Sequence, residues 1–207
     1  MDRKACDNNP NFRNDTAVSL PRNIRIEGNT FNNNNTGTVA GIARWLGLRD
    51  NTFTNNYLNW QVLGNDTGGT VFIDQCMDTV QVHNNYLTGP SPSALTKGAS
   101  GLELWGRNID AAGNTILSYP GDGIDANSAF NTTIRNNTTQ NNGTWSATGG
   151  ILVWTSGPGG PCDPIPRDTQ SVTISANTST GQAYGILLGD RGLSRNTINN
   201  LVPFPKV

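Results

Sequence analysis

The chain has 207 residues, 14% of them charged, and a formal net charge of −1. No basic field advertises nucleic-acid binding, scarce Lys and Glu disfavour helical bundles, and no apolar run approaches the roughly 18 residues of a membrane span. Polarity comes instead from 29 Asn and 24 Thr beside 24 Gly, over a third of the chain, a composition that reads as turn-rich and all-β.

In chain order, residues 1–22 are polar and irregular, a truncated cap or a leading segment. No apolar stretch of the signal-peptide kind follows Met1-Asp2-Arg3-Lys4. That fits a cytoplasmic chain, or a piece cut from a longer exported protein. From residue 23 to 200 one phrase recurs: apolar–x–apolar–x–x–Asn–x–apolar. Ile24 and Ile26 lead to Asn29 and Phe31; Leu46 and Leu48 to Asn51 and Phe53; Val80 and Val82 to Asn85 and Leu87. Ile109 and Ala111 lead to Asn114 and Ile116; Thr132 and Ile134 to Asn137 and Thr139; Val172 and Ile174 to Asn177 and Ser179. A seventh, partial copy runs Leu193, Asn196, Ile198, and residues 201–207 form a tail. A second phrase, Gly followed by a short apolar strand, stands at Gly41, Gly69, Gly101, Gly123, Gly150 and Gly185.

The Asn anchors are separated by 22, 34, 29, 23, 40 and 19 residues, which gives a base period of 20–24 with insertions. Each period holds three short strands of period-2 alternation, none able to bury its inner face alone. Stacking creates one continuous core, with strands of successive coils pairing in parallel. The expected architecture is an all-β parallel solenoid of about seven coils. Its anchor Asn should occupy the left-handed region at a bend and bond from coil to coil in a ladder. The expected core is Ile24, Ile26, Phe31, Leu48, Phe53, Val80, Val82, Leu87, Ile109, Ile116, Ile134, Ile151, Val153, Val172, Ile174, Ile186 and Leu188.

The segments IRIEGNTF, TIRNNTTQNN, DGIDANS and YGILLGD resemble the repeats of right-handed parallel β-helix proteins of the pectin-lyase-like superfamily, over roughly residues 23–200. The resemblance implies right-handed coiling and an extracellular or cell-surface protein that acts on, or binds, a polysaccharide or oligosaccharide. Lyases, hydrolases and epimerases belong to that superfamily, as do non-catalytic surface and structural proteins. Asp122 and Asp125 lie in a DGID segment like the one that carries a catalytic Asp in the polygalacturonase branch. The other motifs of that branch, paired Asp, Gly-His-Gly and Arg-x-Lys, are absent.

Aligning the Gly phrases exposes a candidate face. If the first residue after Gly points inward, the second and fourth point outward. The second positions read Ala43, Val71, Glu103, Asp125, Leu152 and Leu187; the fourth read Trp45, Ile73, Trp105, Asn127, Trp154 and Gly189. Glu103 and Asp125 then neighbour one another on adjacent coils, about 5 Å apart. Carboxylates beside Trp suit a glycan, since indole covers the apolar face of a sugar and carboxylates accept its hydroxyl protons. Glu103, Asp125 and Asp122 are the candidate catalytic residues; Trp105, Trp154, Arg107 and Asn127 are the candidate substrate contacts. At that spacing the pair matches a retaining glycosidase, or with Asp122 would hold calcium, or is a solvated polar face. A lyase or epimerase would also need a cation for the substrate carboxylate, and Arg44, Lys97 and Arg107 are at hand. His83, the single histidine, reads as a structural residue beside a turn. Cys6, Cys76 and Cys162 show no metal-ligand spacing and allow at most one intrachain disulfide. The insertions at 55–68 (with Trp60), 88–100 and 156–171 are where binding loops would sit.

Overall fold

The computed structural model describes residues 22–32, 39–41, 44–54, 68–73, 77–89, 99–143, 148–154 and 169–189. The three cysteines, Trp60, Lys97, the seventh Asn phrase and most of each insertion lie outside these residues. Every element described is a strand, and no helix long and apolar enough to cross a membrane occurs among them.

The strands follow one another in threes. The first triplets are β1 (Arg22–Glu27), β2 (Thr30–Asn32) and β3 (Val39–Gly41), then β4 (Arg44–Arg49), β5 (Thr52–Thr54) and β6 (Gly68–Ile73). Next come β7 (Asp78–His83), β8 (Tyr86–Thr88) and β9 (Ala99–Leu104), then β10 (Arg107–Ala112), β11 (Thr115–Leu117) and β12 (Ile124–Asn127). The last are β13 (Phe130–Arg135), β14 (Thr138–Gln140) and β15 (Ile151–Trp154), then β16 (Gln170–Ser175), β17 (Thr178–Thr180) and β18 (Ile186–Leu188). Each strand pairs in parallel with the third strand before and after it, so three six-stranded sheets form. Sheet A joins β1, β4, β7, β10, β13 and β16; sheet B begins with β2 and sheet C with β3, each advancing by the same step. This is a parallel β-solenoid.

The inward positions meet along the axis. Leu48, Phe53, Val82, Leu87, Ile116, Ile134, Ile151 and Val153 are fully buried, as the alternation requires. Ile24, Ile26, Phe31 and Ile186 are partly buried, at the two ends of the described stack. Phe31 stacks on Phe53 with ring centroids 4.8 Å apart. Leu188 departs from expectation at 43% exposed, because it lies in the last described strand of sheet C. Tyr119 is a core residue that alternation does not reveal. It enters from the corner after β11, is fully buried, and its hydroxyl donates to Thr70 Oγ1 at 3.0 Å.

The anchor asparagines stack in one column. The backbone N–H and Nδ2 of each donate to Oδ1 of the next: Asn29 to Asn51, Asn51 to Asn85, Asn85 to Asn114, Asn114 to Asn137 and Asn137 to Asn177, all at 2.8–3.1 Å. Nδ2 also reaches back to a carbonyl of the preceding coil, as from Asn114 to Val82 O at 2.7 Å. The expected backbone conformation was misplaced by one residue. The left-handed position is the residue before the anchor: Gly28, Asp50, Asn84, Gly113, Asn136 and Ala176, with φ of 51–67°. The chain turns there, and the anchor side chain is freed to point inward and satisfy the turned backbone. A second left-handed set falls at the second residue of the long strands, Asn23, Thr79, Asn108, Asn131 and Ser171.

The glycines that open sheet C have a steric cause. A Cβ on Gly123 would stand 2.6 Å from Gly150 O, and one on Gly101 2.8 Å from Gly123 O. At Gly101 and Gly123 the stack is too tight for any side chain.

Candidate functional site on sheet C

From the third coil onward the expected parity holds. Leu102, Leu104, Ile124, Ala126, Ile151 and Val153 face the core, fully buried, so Glu103, Asp125 and Leu152 occupy the outer face in register. Glu103 and Asp125 are direct neighbours on adjacent parallel strands, about 4.8 Å apart along the stack. Asn127 pairs with Trp154, and Trp105 follows Leu104, the partner of Ala126, so Trp105, Asn127 and Trp154 make the next outer column.

In the first two coils the alignment on Gly fails. Val71 and Ile73 pair with Leu102 and Leu104 and are fully buried, so they belong to the core and not to the outer face. Gly41 pairs with Ile73, which puts Ala40 and Phe72 in the Glu103 column in place of Ala43 and Val71. Trp45 belongs to β4 in sheet A and leaves the column altogether. Gly69 and Gly41 open their phrases at other registers than Gly101; in the first coil the sequence marks a shift, since the alignment on Gly41 would turn the charged Arg44 inward.

The outer face is not a solvated one. Glu103 is 3% exposed, Asp125 5%, Asp122 1% and Asn127 fully buried. Trp154 Nε1 donates to Asp125 Oδ1 at 2.7 Å, which fixes the indole against the carboxylate. Asp122 Oδ1 accepts the Gly149 N–H at 2.7 Å, and its own N–H donates to Ser100 Oγ. Among the described residues no three His, Cys, Asp or Glu side chains, Glu103, Asp122 and Asp125 included, form a group that could hold a metal ion. Asn127 Oδ1 accepts from Ser128 Oγ at 3.1 Å, while its buried Nδ2 has no acceptor among the described residues. Arg107 opens β10, one corner beyond Trp105. Its guanidinium lies 5.9 Å from the centre of the Phe130 ring, a cation–π distance.

One charged cluster lies on sheet A, where spacing in the sequence gives no signal. Asp110 takes a bidentate pair of bonds from Arg135, Nε to Oδ1 at 3.1 Å and a terminal nitrogen to Oδ2 at 2.9 Å. From the coil on the other side His83 Nε2 lies 2.9 Å from Oδ2, its ring N–H donating. Burial pushes the Asp110 carboxyl upward, but its bonds to Arg135 and His83 outweigh this and hold it below the usual aspartate value of 3.8. His83 is thus a rung between coils, in keeping with its structural reading.

The chain matches no protein-family model, no curated protein and no solved structure.

Proposed function

We propose that this is a secreted, carbohydrate-active right-handed parallel β-helix protein of about seven coils, acting on or binding a polysaccharide through the outer face of sheet C. The observation that carries the reading is the Glu103–Asp125 pair in register beside the Trp105–Asn127–Trp154 column. Two carboxylates, an amide and two indoles on one strip match what a sugar offers, hydroxyls at the rim and an apolar ring face. The right hand follows the crossover rule for parallel strands. The seventh coil rests on the partial phrase Leu193, Asn196, Ile198 in the sequence.

A second reading, a non-catalytic glycan-binding or structural β-helix segment, is favoured by the burial of both carboxylates and the tie between Asp125 and Trp154. In an enzyme the pair would serve as acid and nucleophile, or as acid and base. A glycan array, combined with reducing-end release and ultraviolet detection of unsaturated products on uronate polymers, separates the readings. Turnover lost in Asp125→Asn supports catalysis. Binding without turnover, lost in Trp105→Ala, supports a binding module. No binding to any glycan refutes the carbohydrate reading.

A further inference from the structure

We infer that the outer face of sheet A carries a second binding site, a notch floored by Gly47 that takes a monoanionic sugar acid. The site lies on a different sheet from the Glu103–Asp125 pair and does not rest on the reading of that face.

One outer column of sheet A runs Arg25, Gly47, Gln81, Asp110, Thr133, Thr173, each in register with the next. Every position but one projects a polar side chain. At Gly47 the column is interrupted, and a cleft of about 430 Å³ opens, walled by Arg25, Glu27, Arg49, Thr79 and Gln81. A volume of this order is that of a small-molecule site.

Among the described residues, nothing in the packing calls for glycine there. A Cβ on Gly47 would meet no atom nearer than 3.9 Å, from Ile24 O, and then Arg25 Cγ at 4.0 Å, and its φ is not among the positive ones. Gly101 and Gly123 differ in kind, since a Cβ on either collides with backbone. Glycine weakens a strand interior, and where no bulge or corner explains it, it often marks close approach of a ligand or of another backbone; among the described residues no backbone comes nearer than Ile24 O at 3.9 Å, which favours a ligand.

The walls define the ligand. Arg25 and Arg49 present two guanidinium groups and Glu27 one carboxylate, so the lining carries a net charge of +1. Arg49 donates from one terminal nitrogen to Gln81 Oε1, which fixes the plane of its fork. Among the described residues, neither arginine forms an ion pair with Glu27. Arginine forks match a carboxylate in two-point contact. Glu27 only accepts, so it requires hydroxyl donors, and Gln81 and Thr79 add neutral partners. A phosphate dianion would overshoot the charge of the lining and face Glu27. A carboxylate on a hydroxylated carbon frame satisfies all the walls at once.

The test is calorimetric or NMR titration of the full chain with gluconate, glucuronate and galacturonate. Glucose, acetate and glucose 6-phosphate serve as probes lacking the charge, lacking the hydroxyls and carrying a second charge. At least one sugar acid should bind saturably, and at least about tenfold tighter than all three comparison ligands, a difference that added salt reduces. Gly47→Thr, which fills the notch and suits a strand, should abolish binding without lowering the urea midpoint. Arg49→Gln and Arg25→Gln should each weaken it by about tenfold or more. Asp125→Asn and Trp105→Ala should leave it unchanged, which distinguishes this site from sheet C. The proposal is overturned if no sugar acid outbinds its neutral parent, if Gly47→Thr binds as the wild type does, or if the arginine variants are silent while Trp105→Ala abolishes binding.

Discussion

Replacing Asn114 by Ala tests whether the asparagine column holds the coils together. Asn114 is 1% exposed and lies mid-ladder. Its Oδ1 accepts from both the N–H and the Nδ2 of Asn85 at 3.0 Å, and its Nδ2 donates to Val82 O and to Asn137 Oδ1. Truncation leaves the Asn85 N–H buried with no other acceptor, at about 1–3 kcal/mol. The Asn85 Nδ2 keeps its bonds to Leu48 O and His83 O, and Asn137 Oδ1 keeps the Asn114 backbone N–H, so those groups lose less. Adding about 0.5–1.5 kcal/mol for each of the two donor bonds lost gives about 2–6 kcal/mol in all. Asn29→Ala is the control. That residue is exposed at one end of the described ladder, and its amide only donates, so water replaces its partners and the loss should stay below about 1 kcal/mol. Urea unfolding followed by circular dichroism measures both, compared at constant m. If Asn114→Ala lowers stability no more than Asn29→Ala, the ladder contributes nothing beyond the backbone sheets, and the reasoning fails.

Val82→Ala should lower stability by about 1–3 kcal/mol and Ile134→Ala by about 2–4 kcal/mol, since both are fully buried; unmoved urea midpoints would contradict the inward register. Gly123→Ala should cost about 1–3 kcal/mol because its Cβ meets the Gly150 carbonyl at 2.6 Å, while Gly47→Ala, with no atom nearer than 3.9 Å, should be neutral or stabilising by the same assay. The Asp110 carboxyl titrates below 3.8 in the folded chain, so its contribution to stability is fully present above that value. It is lost as pH falls through the lowered folded value. Urea midpoints measured from neutral to strongly acidic pH should therefore fall more steeply at the acid end for the wild type than for Asp110→Asn.

The solenoid was legible because its physics is repetitive. One phrase fixes the inner face by alternation, and the anchor Asn recurs wherever a turned backbone needs a partner, so Asn51, Asn85, Asn114 and Asn137 could be placed in one column from spacing alone. The left-handed residue was not legible. It is filled by Gly28, Asp50, Asn84, Gly113, Asn136 and Ala176, a set with no common side chain, because the backbone turn is stabilised from outside by the next residue's amide. Tyr119 escaped for a related reason: it fills the axis from a corner, where no period-2 pattern applies.

The candidate site shows how far register carries a functional reading. Glu103 and Asp125 could be paired because Gly101 and Gly123 are sterically forced to the same corner, and a forced glycine is a reliable ruler. Gly69 and Gly41 are not held to that corner, so the ruler slipped, and Val71 and Ile73 were assigned to the wrong face. Register also says nothing of what covers a face. Outward-pointing carboxylates at 3% and 5% exposure are compatible with the alternation and invisible to it. The same distinction separates the two kinds of glycine in this chain. Where a Cβ collides, as at Gly123, glycine reports the fold; at Gly47 a Cβ would meet no atom nearer than 3.9 Å, so packing among the described residues does not require the glycine.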